Sequence, residues 1–222
     1  MPLRLPEGEP EAVAWRRVRV PKLLKLVVAA AGNPPGRPRI IAIDGRGGSG
    51  KSTLAARLHG HAPASAVVHT DDLAWHEPLF GWGHLLADHV LHPLHQRRAV
   101  SFRPPAWERR GREGVIAVPA GLDLVLVEGT GASQRDHASL IDATVWVQSD
   151  FDEAERRGLA RDIAEGVNGD PQQAAAFWQA WMTEELAFIE RQRPWERACF
   201  VVNGTPRDRR DADHVEISSL AS

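Results

Sequence analysis

The sequence contains no tyrosine, a single cysteine and, counted along the chain, only three lysines (Lys22, Lys25 and Lys51) among its 27 basic residues. One cysteine, Cys199, excludes an internal disulfide framework and suits a reducing compartment. The longest apolar run, Leu26 to Ala31, is far too short to span a bilayer. The first residues lack a basic segment followed by an apolar core, so no signal peptide is expected, and the protein is read as cytoplasmic with no membrane partner. A formal net charge of −2 gives no overall field toward nucleic acid, and acids interrupt the basic tail Arg207-Asp208-Arg209-Arg210. The arginine bias itself matches GC-rich codon usage, which makes each retained lysine worth locating.

At 222 residues, with 43% hydrophobic and 25% charged residues, the chain has the composition of an ordinary globular domain. Residues 1–36 read as a leader, a short helix from Pro21 to Ala31 and a Pro/Gly connector. A main domain is expected over 37–206 and a tail over 207–222. Within the main domain, five short apolar runs begin near Ile40, Ala66, Leu122, Ala143 and Cys199. Helical patterns separate them at Ser52–His61, about His84–Arg98, Phe151–Glu165 and Pro171–Gln192. Near-continuous apolar strands alternating with helices predict an α/β fold, a doubly wound, mainly parallel five-stranded sheet. A small antiparallel pair is expected near 100–118, from Val100–Phe102 and Val115–Val118.

Directly after the first strand stands Gly45-Arg46-Gly47-Gly48-Ser49-Gly50-Lys51-Ser52-Thr53, which matches G-x-x-x-x-G-K-[ST] at every defined position. Glycines let backbone N–H groups close around phosphate oxygens, and the helix that follows adds its positive end. In such a loop Lys51 reaches the β- and γ-phosphates of ATP, and the Ser52 hydroxyl is a Mg²⁺ ligand. One of the three lysines thus occupies the one position where this motif requires lysine. The Asn-Lys-x-Asp pattern of GTPases is absent.

Ligands of doubly wound sheets gather at the carboxyl ends of the strands, and two acidic sites fall there. Val127-Glu128-Gly129 has the layout of a Mg²⁺-handling carboxylate after an apolar strand. In His69-Thr70-Asp71-Asp72, Asp71 is a candidate general base for a substrate hydroxyl, or else a helix-capping carboxylate. Arg157 and Arg161 stand four apart on one helix face, either over the phosphates or as a solvated face paired with Glu153 and Asp162. The three residues His89, His92 and His95 share a helix side, and Phe177, Trp178, Trp181 and Phe188 have the spacing of a core or interface stripe.

From Pro21 to Gly204 this order of phosphate loop, Thr70-Asp71-Asp72-Leu73, Glu128-Gly129 and Arg157-x-x-x-Arg161-Asp162 resembles the uridine kinase and phosphoribulokinase family of P-loop kinases, closest to its short bacterial uridine kinase-like subgroup. The resemblance implies a phosphotransferase moving the γ-phosphate of ATP to a small-molecule hydroxyl. It implies Asp71 as catalytic base, Glu128 in Mg²⁺ handling, and Arg157 and Arg161 on a lid spanning about 153–170. The segment by which uridine kinases hold their nucleoside corresponds to Ser101–Arg109. There Phe102 and Trp107 could stack on a flat acceptor and Arg109 could contact it, but the tyrosine hydroxyls are missing and Ala106 replaces a frequent aspartate. The acceptor is therefore open between a nucleoside and another alcohol. A nucleotide-binding regulatory module with weak ATPase activity is the alternative, and a homo-oligomer is compatible with either.

Overall fold

The sheet of this protein is built around two strands whose residues alternate between two cores. A computed structural model describes residues 3–166, 168–206, 211 and 213–218. In β2 (Arg39–Gly45), Ile40 and Ala42 face one core while Ile41 and Ile43 face the other, and in β6 (Leu124–Glu128) Val125 and Val127 oppose Leu124 and Leu126 in the same way. Burial on both faces explains why these segments are continuous apolar runs rather than alternating ones.

Around them lie β1 (Arg16–Arg19), β3 (Ser65–His69), β7 (Ala143–Gln148), β8 (Phe200–Asn203) and β9 (His214–Ser218), in the spatial order β1-β9-β8-β7-β2-β6-β3. The pairs among β3, β6, β2, β7 and β8 are parallel, whereas β9 and β1 run antiparallel at one edge. The sheet thus has seven strands where five were expected. The five parallel ones are those read from the sequence, and the additional two come from the segments before residue 37 and after residue 206. Arg16–Arg19 is too charged to resemble a buried strand, but an edge strand has one side in water and tolerates such a composition. In β9, Val215 and Ile217 alternate with polar residues and enter the core. The separate antiparallel pair is present as β4 (Val100–Phe102) with β5 (Ile116–Val118), Val100 opposite Val118. Residues 207–210 of the basic tail lie outside the described residues.

Helices α1 (Val20–Ala30) and α2 (Lys51–Gly60) cover one face through Leu23, Val27, Leu54 and Leu58. The other face is covered by α3 (Thr70–Ala74), α4 (Gly83–Leu86), a π-helical turn over Ala87–Leu91 and α5 (His92–His95), with α6 (Pro105–Arg110) beside them. The single helix expected from about His84 to Arg98 is therefore interrupted by a π turn and stops at His95. Part of the segment read as a leader is docked on the sheet. Glu9 is buried and accepts hydrogen bonds from Trp146 Nε1 at 2.7 Å and Gln148 Nε2 at 2.8 Å. No helix among the described residues is long and apolar enough to cross a membrane.

Two long helices complete the structure. In α7 (Phe151–Glu165) the Asp150 side chain accepts from Glu153 N at the start, and left-handed Gly166 ends it. A capping box of Asp170 and Gln173 opens α8 (Pro171–Gln192). Gly158 of α7 lies flat against the buried Trp178 ring of α8, so a Cβ at residue 158 would collide with the indole. Phe188 is also buried, whereas Phe177 is 45% exposed, so only part of the aromatic stripe is core.

Two stability predictions follow from this packing. Alanine is better than glycine in a helix by about 1 kcal/mol, yet Gly158→Ala should lower the melting temperature by about 2–10 °C, because overpacking outweighs propensity. A rise on thermal denaturation would refute the α7–α8 contact. The second concerns His137, which is buried in the 3₁₀ turn Arg135–Leu140 with Nε2–H donating to Ala132 O at 3.1 Å. Burial holds its imidazole below the ordinary 6.5. The folded state thus binds this proton less readily than the unfolded chain, and the stability this neutral ring contributes is complete above about pH 6.5 and is lost as pH falls below it. The urea midpoint should drop from pH 7.5 to 5.5 more steeply in the wild type than in His137→Asn.

Candidate active site

The turn from β2 into α2 carries Gly45–Ser52, the segment expected to be a phosphate loop, and its shape needs glycine. Gly48 and Gly50 have φ of +75° and +101°, and a Cβ on Gly48 would strike the Ala154 carbonyl of α7. Gly45, Arg46 and Ser49 are buried, and the backbone N–H of Ser49 closes the turn on Arg46 O at 3.0 Å. α2 begins at Lys51, so its unpaired N–H groups open onto the loop. The Lys51 side chain is buried and curls back to donate to Arg46 O at 3.3 Å. Thr53 is exposed one residue beyond Ser52.

Strand register brings the acids to this loop. Glu128 is the partner of Ile43 on one side and of His69 on the other, which sets it beside the loop at the sheet's carboxyl edge. Ser52 Oγ donates to Glu128 Oε2 at 3.1 Å, and His69 Nδ1 lies 2.5 Å from Oε1. Burial pushes the Glu128 carboxyl up. The hydrogen bond from His69 and the nearby Lys51 charge outweigh this and hold it below its ordinary value of 4.5. The same hydrogen bond raises His69 above 6.5. Ser52 and Glu128, both expected to handle metal, are therefore together, and Glu128 is kept ionised.

The sequence reading missed two residues of this architecture. His69 could have been found from its place at a strand end in register with Glu128. Asp44, one residue before the loop, is buried and accepts from Gly45 N, Gly131 N, Ser133 N and Ser133 Oγ at 2.7–2.9 Å. It stitches the phosphate loop to the turn after β6, and no motif signals it.

Asp71 lies in the first turn of α3, exposed, with no hydrogen bond or ion pair to another described residue. It caps no backbone N–H; the N-cap residue is His69, which has no side-chain cap. Its neighbour Asp72 is instead committed to Arg112 at 2.5 Å, and the Asp72 carbonyl accepts from Trp107 Nε1 at 2.9 Å.

The residues expected to stack on the acceptor are placed differently. Trp107 is 4% exposed, packed in the core, with the Arg112 guanidinium 3.7 Å from its ring centre. An indole covered in this way presents no open face, so the assignment of Trp107 to substrate stacking is corrected. Phe102 is half-buried and stacks on His89 at 3.9 Å, and Arg109 pairs with Glu77 at 3.4 Å. His95 Nε2 is taken by Leu140 O. Among the described residues no cluster of three His, Cys, Asp or Glu side chains could hold a metal.

Of the two α7 arginines expected over the phosphates, Arg157 and Arg161, the structure brings one to the loop. Arg157 Nε bonds Glu153 at 3.0 Å and Nη1 bonds Gly204 O at 2.7 Å, while Nη2 is buried with no hydrogen-bond partner among the described residues. It lines a cavity of about 210 Å³ with Ser49, Gly50, Thr53, Arg57 and Asn203. Arg161 is half exposed and paired with Asp162 at 2.9 Å.

No protein-family model matches the sequence, and no curated protein matches it significantly. Solved structures do match in fold. D-glycerate 3-kinase from Cryptococcus neoformans is 14% identical with a TM-score of 0.57, over 77% of this chain and 88% of that one. A candidate fructose transport system kinase from Silicibacter is 20% identical with a TM-score of 0.54, over 79% and 94%. A possible uridine kinase from Bacillus stearothermophilus is 17% identical with a TM-score of 0.52, over 82% and 96%. With its mostly parallel sheet, its glycine-rich turn between β2 and α2 and these likenesses, the chain shares its fold with these kinases.

Proposed function

We propose that this protein is a Mg-ATP-dependent kinase of the cytoplasm that transfers the γ-phosphate of ATP to a hydroxyl of a small molecule, a nucleoside or another alcohol. The observation that carries this reading is the contact of Ser52 with the ionised Glu128 beside Lys51, with an unpartnered Asp71 just past the end of the adjacent strand. The kinase character of the proteins that share the fold supports it.

The donors at Ser52 and Glu128 are hard oxygens, as Mg²⁺ requires. One carboxylate and one hydroxyl also fit an ion that usually takes its other ligands from phosphates and water, and Ser52 and Glu128 would hold it. Bound there, Mg²⁺ supplies neutralisation of the charge on the β- and γ-phosphate oxygens.

The protein's own groups perform the rest. Backbone N–H groups of the loop and of the first turn of α2 receive the phosphates. Lys51 and the free Nη2 of Arg157 contribute positive charge where negative charge spreads during transfer. Asp71 accepts the proton of the acceptor hydroxyl as its oxygen bonds to the γ-phosphorus. The bond from that phosphorus to the β–γ bridging oxygen breaks, and ADP leaves.

The test is ATP consumption by the full chain, screened against nucleosides, sugars and pantothenate-like alcohols. Lys51→Ala should abolish transfer. Asp71→Asn should lower kcat by about 10²–10⁴-fold while leaving ATP affinity largely intact. Undiminished turnover in the aspartate variant removes Asp71 as base, and ATP consumption that no alcohol stimulates replaces the kinase with a regulatory ATPase.

A further inference from the structure

The phosphate loop is gripped from outside by a charged residue that belongs to no motif. Glu185 of α8 is 0% exposed, and its Oε1 accepts from Gly47 N at 2.6 Å and from Thr130 Oγ1 at 3.3 Å. Its Oε2 lies 3.5 Å from Nε of Arg46, which is itself 1% exposed. The Arg46 guanidinium rests 4.1 Å from the centre of the Phe151 ring, and Nη2 reaches Met182 Sδ at 3.5 Å. Trp178 and Trp181 of the same helix flank Gly47, where a Cβ would stand 3.2–3.3 Å from their rings.

As a source of stability this pair is poor. Burying two charges costs several kcal/mol, recovered only when their hydrogen bonds are complete. Here Arg46 Nε and Nη1 and Glu185 Oε2 have no well-formed hydrogen bond among the described residues. A well-packed apolar pair would serve the core as well. What an apolar pair cannot supply is an acceptor for the third peptide N–H of the loop.

That N–H is held by a carboxylate on a 22-residue helix, and the same carboxylate touches Thr130 in the turn after Glu128. The helix also seats Trp178 against Gly158 of α7. One side chain thus connects the loop, the turn after β6 and the helix that packs against α7.

We propose that Glu185 is a positioning residue of the nucleotide site, holding the phosphate loop in its phosphate-receiving shape through the Gly47 N–H, with Arg46 as its buried counter-charge. This rests on the reading of Gly45–Ser52 as the ATP-phosphate site.

Two double variants isolate the hydrogen bond from the charge. R46M/E185Q and R46M/E185L both remove the ion pair, and only the first retains an oxygen to accept from Gly47. Mg-ADP binding measured by calorimetry requires no acceptor substrate. R46M/E185Q should bind Mg-ADP about tenfold more tightly than R46M/E185L, at melting temperatures within a few degrees of each other. Equal affinities, or tighter binding by the leucine variant, overturn the proposal, the latter by making Glu185 a plug rather than a support. A wild-type chain that fails to bind Mg-ADP removes the phosphate-site reading together with the proposal, which distinguishes the two failures. Amide exchange in the unmodified protein needs no variant to fold. Gly47 N–H should exchange at least tenfold more slowly than an exposed amide, and exchange at the exposed rate overturns the proposal.

Discussion

The carboxylate of Asp44 joins the two turns on which the candidate site depends. It sits at the end of β2 and receives hydrogen bonds from Gly45, Gly131 and Ser133, so the loop after β2 and the turn after β6 are fixed to each other rather than merely adjacent. A buried carboxylate is costly unless its lone pairs are filled, and four donors fill them here. Glu128 leaves β6 immediately before that turn, and Lys51 and Ser52 leave the loop immediately after it. The 3.1 Å contact between Ser52 and Glu128 is a consequence of that stitching.

The electrostatics of the strand ends follow from the same geometry. Glu128 is buried beside a strand, where desolvation favours a neutral acid, yet His69 and Lys51 keep it ionised. Asp71, two residues beyond His69, remains exposed and uncommitted, while Asp72 is consumed by Arg112 between the Trp75 and Trp107 rings. Adjacent acids of the same type are thereby given different surroundings: Asp72 is held by an ion pair, and Asp71 faces solvent.

The aromatic helix α8 organises the opposite side of the loop. Its Trp178 and Phe188 pack on glycines of α7 and of the turn after β6, at Gly158 and Gly131, where any side chain would obstruct the approach. The absence of a side chain at these positions is what lets α7 lie on Gly48 and bring Arg157 to the cavity beside Ser49 and Thr53. Arg161, one turn further along α7, is left with Asp162.

The sequence by itself determined the parts whose chemistry is local. The phosphate loop is contiguous, the five parallel strands are continuous apolar runs, and Asp71 and Glu128 stand at strand ends that sheet topology brings to one edge. The two strands added beyond β8 were illegible because Arg16–Arg19 is polar and its partner β9 lies some 200 residues away, so only pairing makes either a strand. Trp107 was misread because an aromatic in a polar loop has the same local signature whether it faces a ligand or the core. Its burial depends on Arg112 and Asp72, which reach it only in the folded state. Asp44 and Glu185 belong to no motif, and their partners lie largely on other elements, while His69 is marked only by a strand end whose register with Glu128 is set by the sheet. Tertiary structure decided these, because hydrogen-bond partners in a buried site are set by register and helix packing, which no local run of residues encodes. The scarce lysine retained as Lys51 and the strand-end Glu128 were therefore readable from the chain alone, and the buried carboxylates of Asp44 and Glu185 that hold the loop were not.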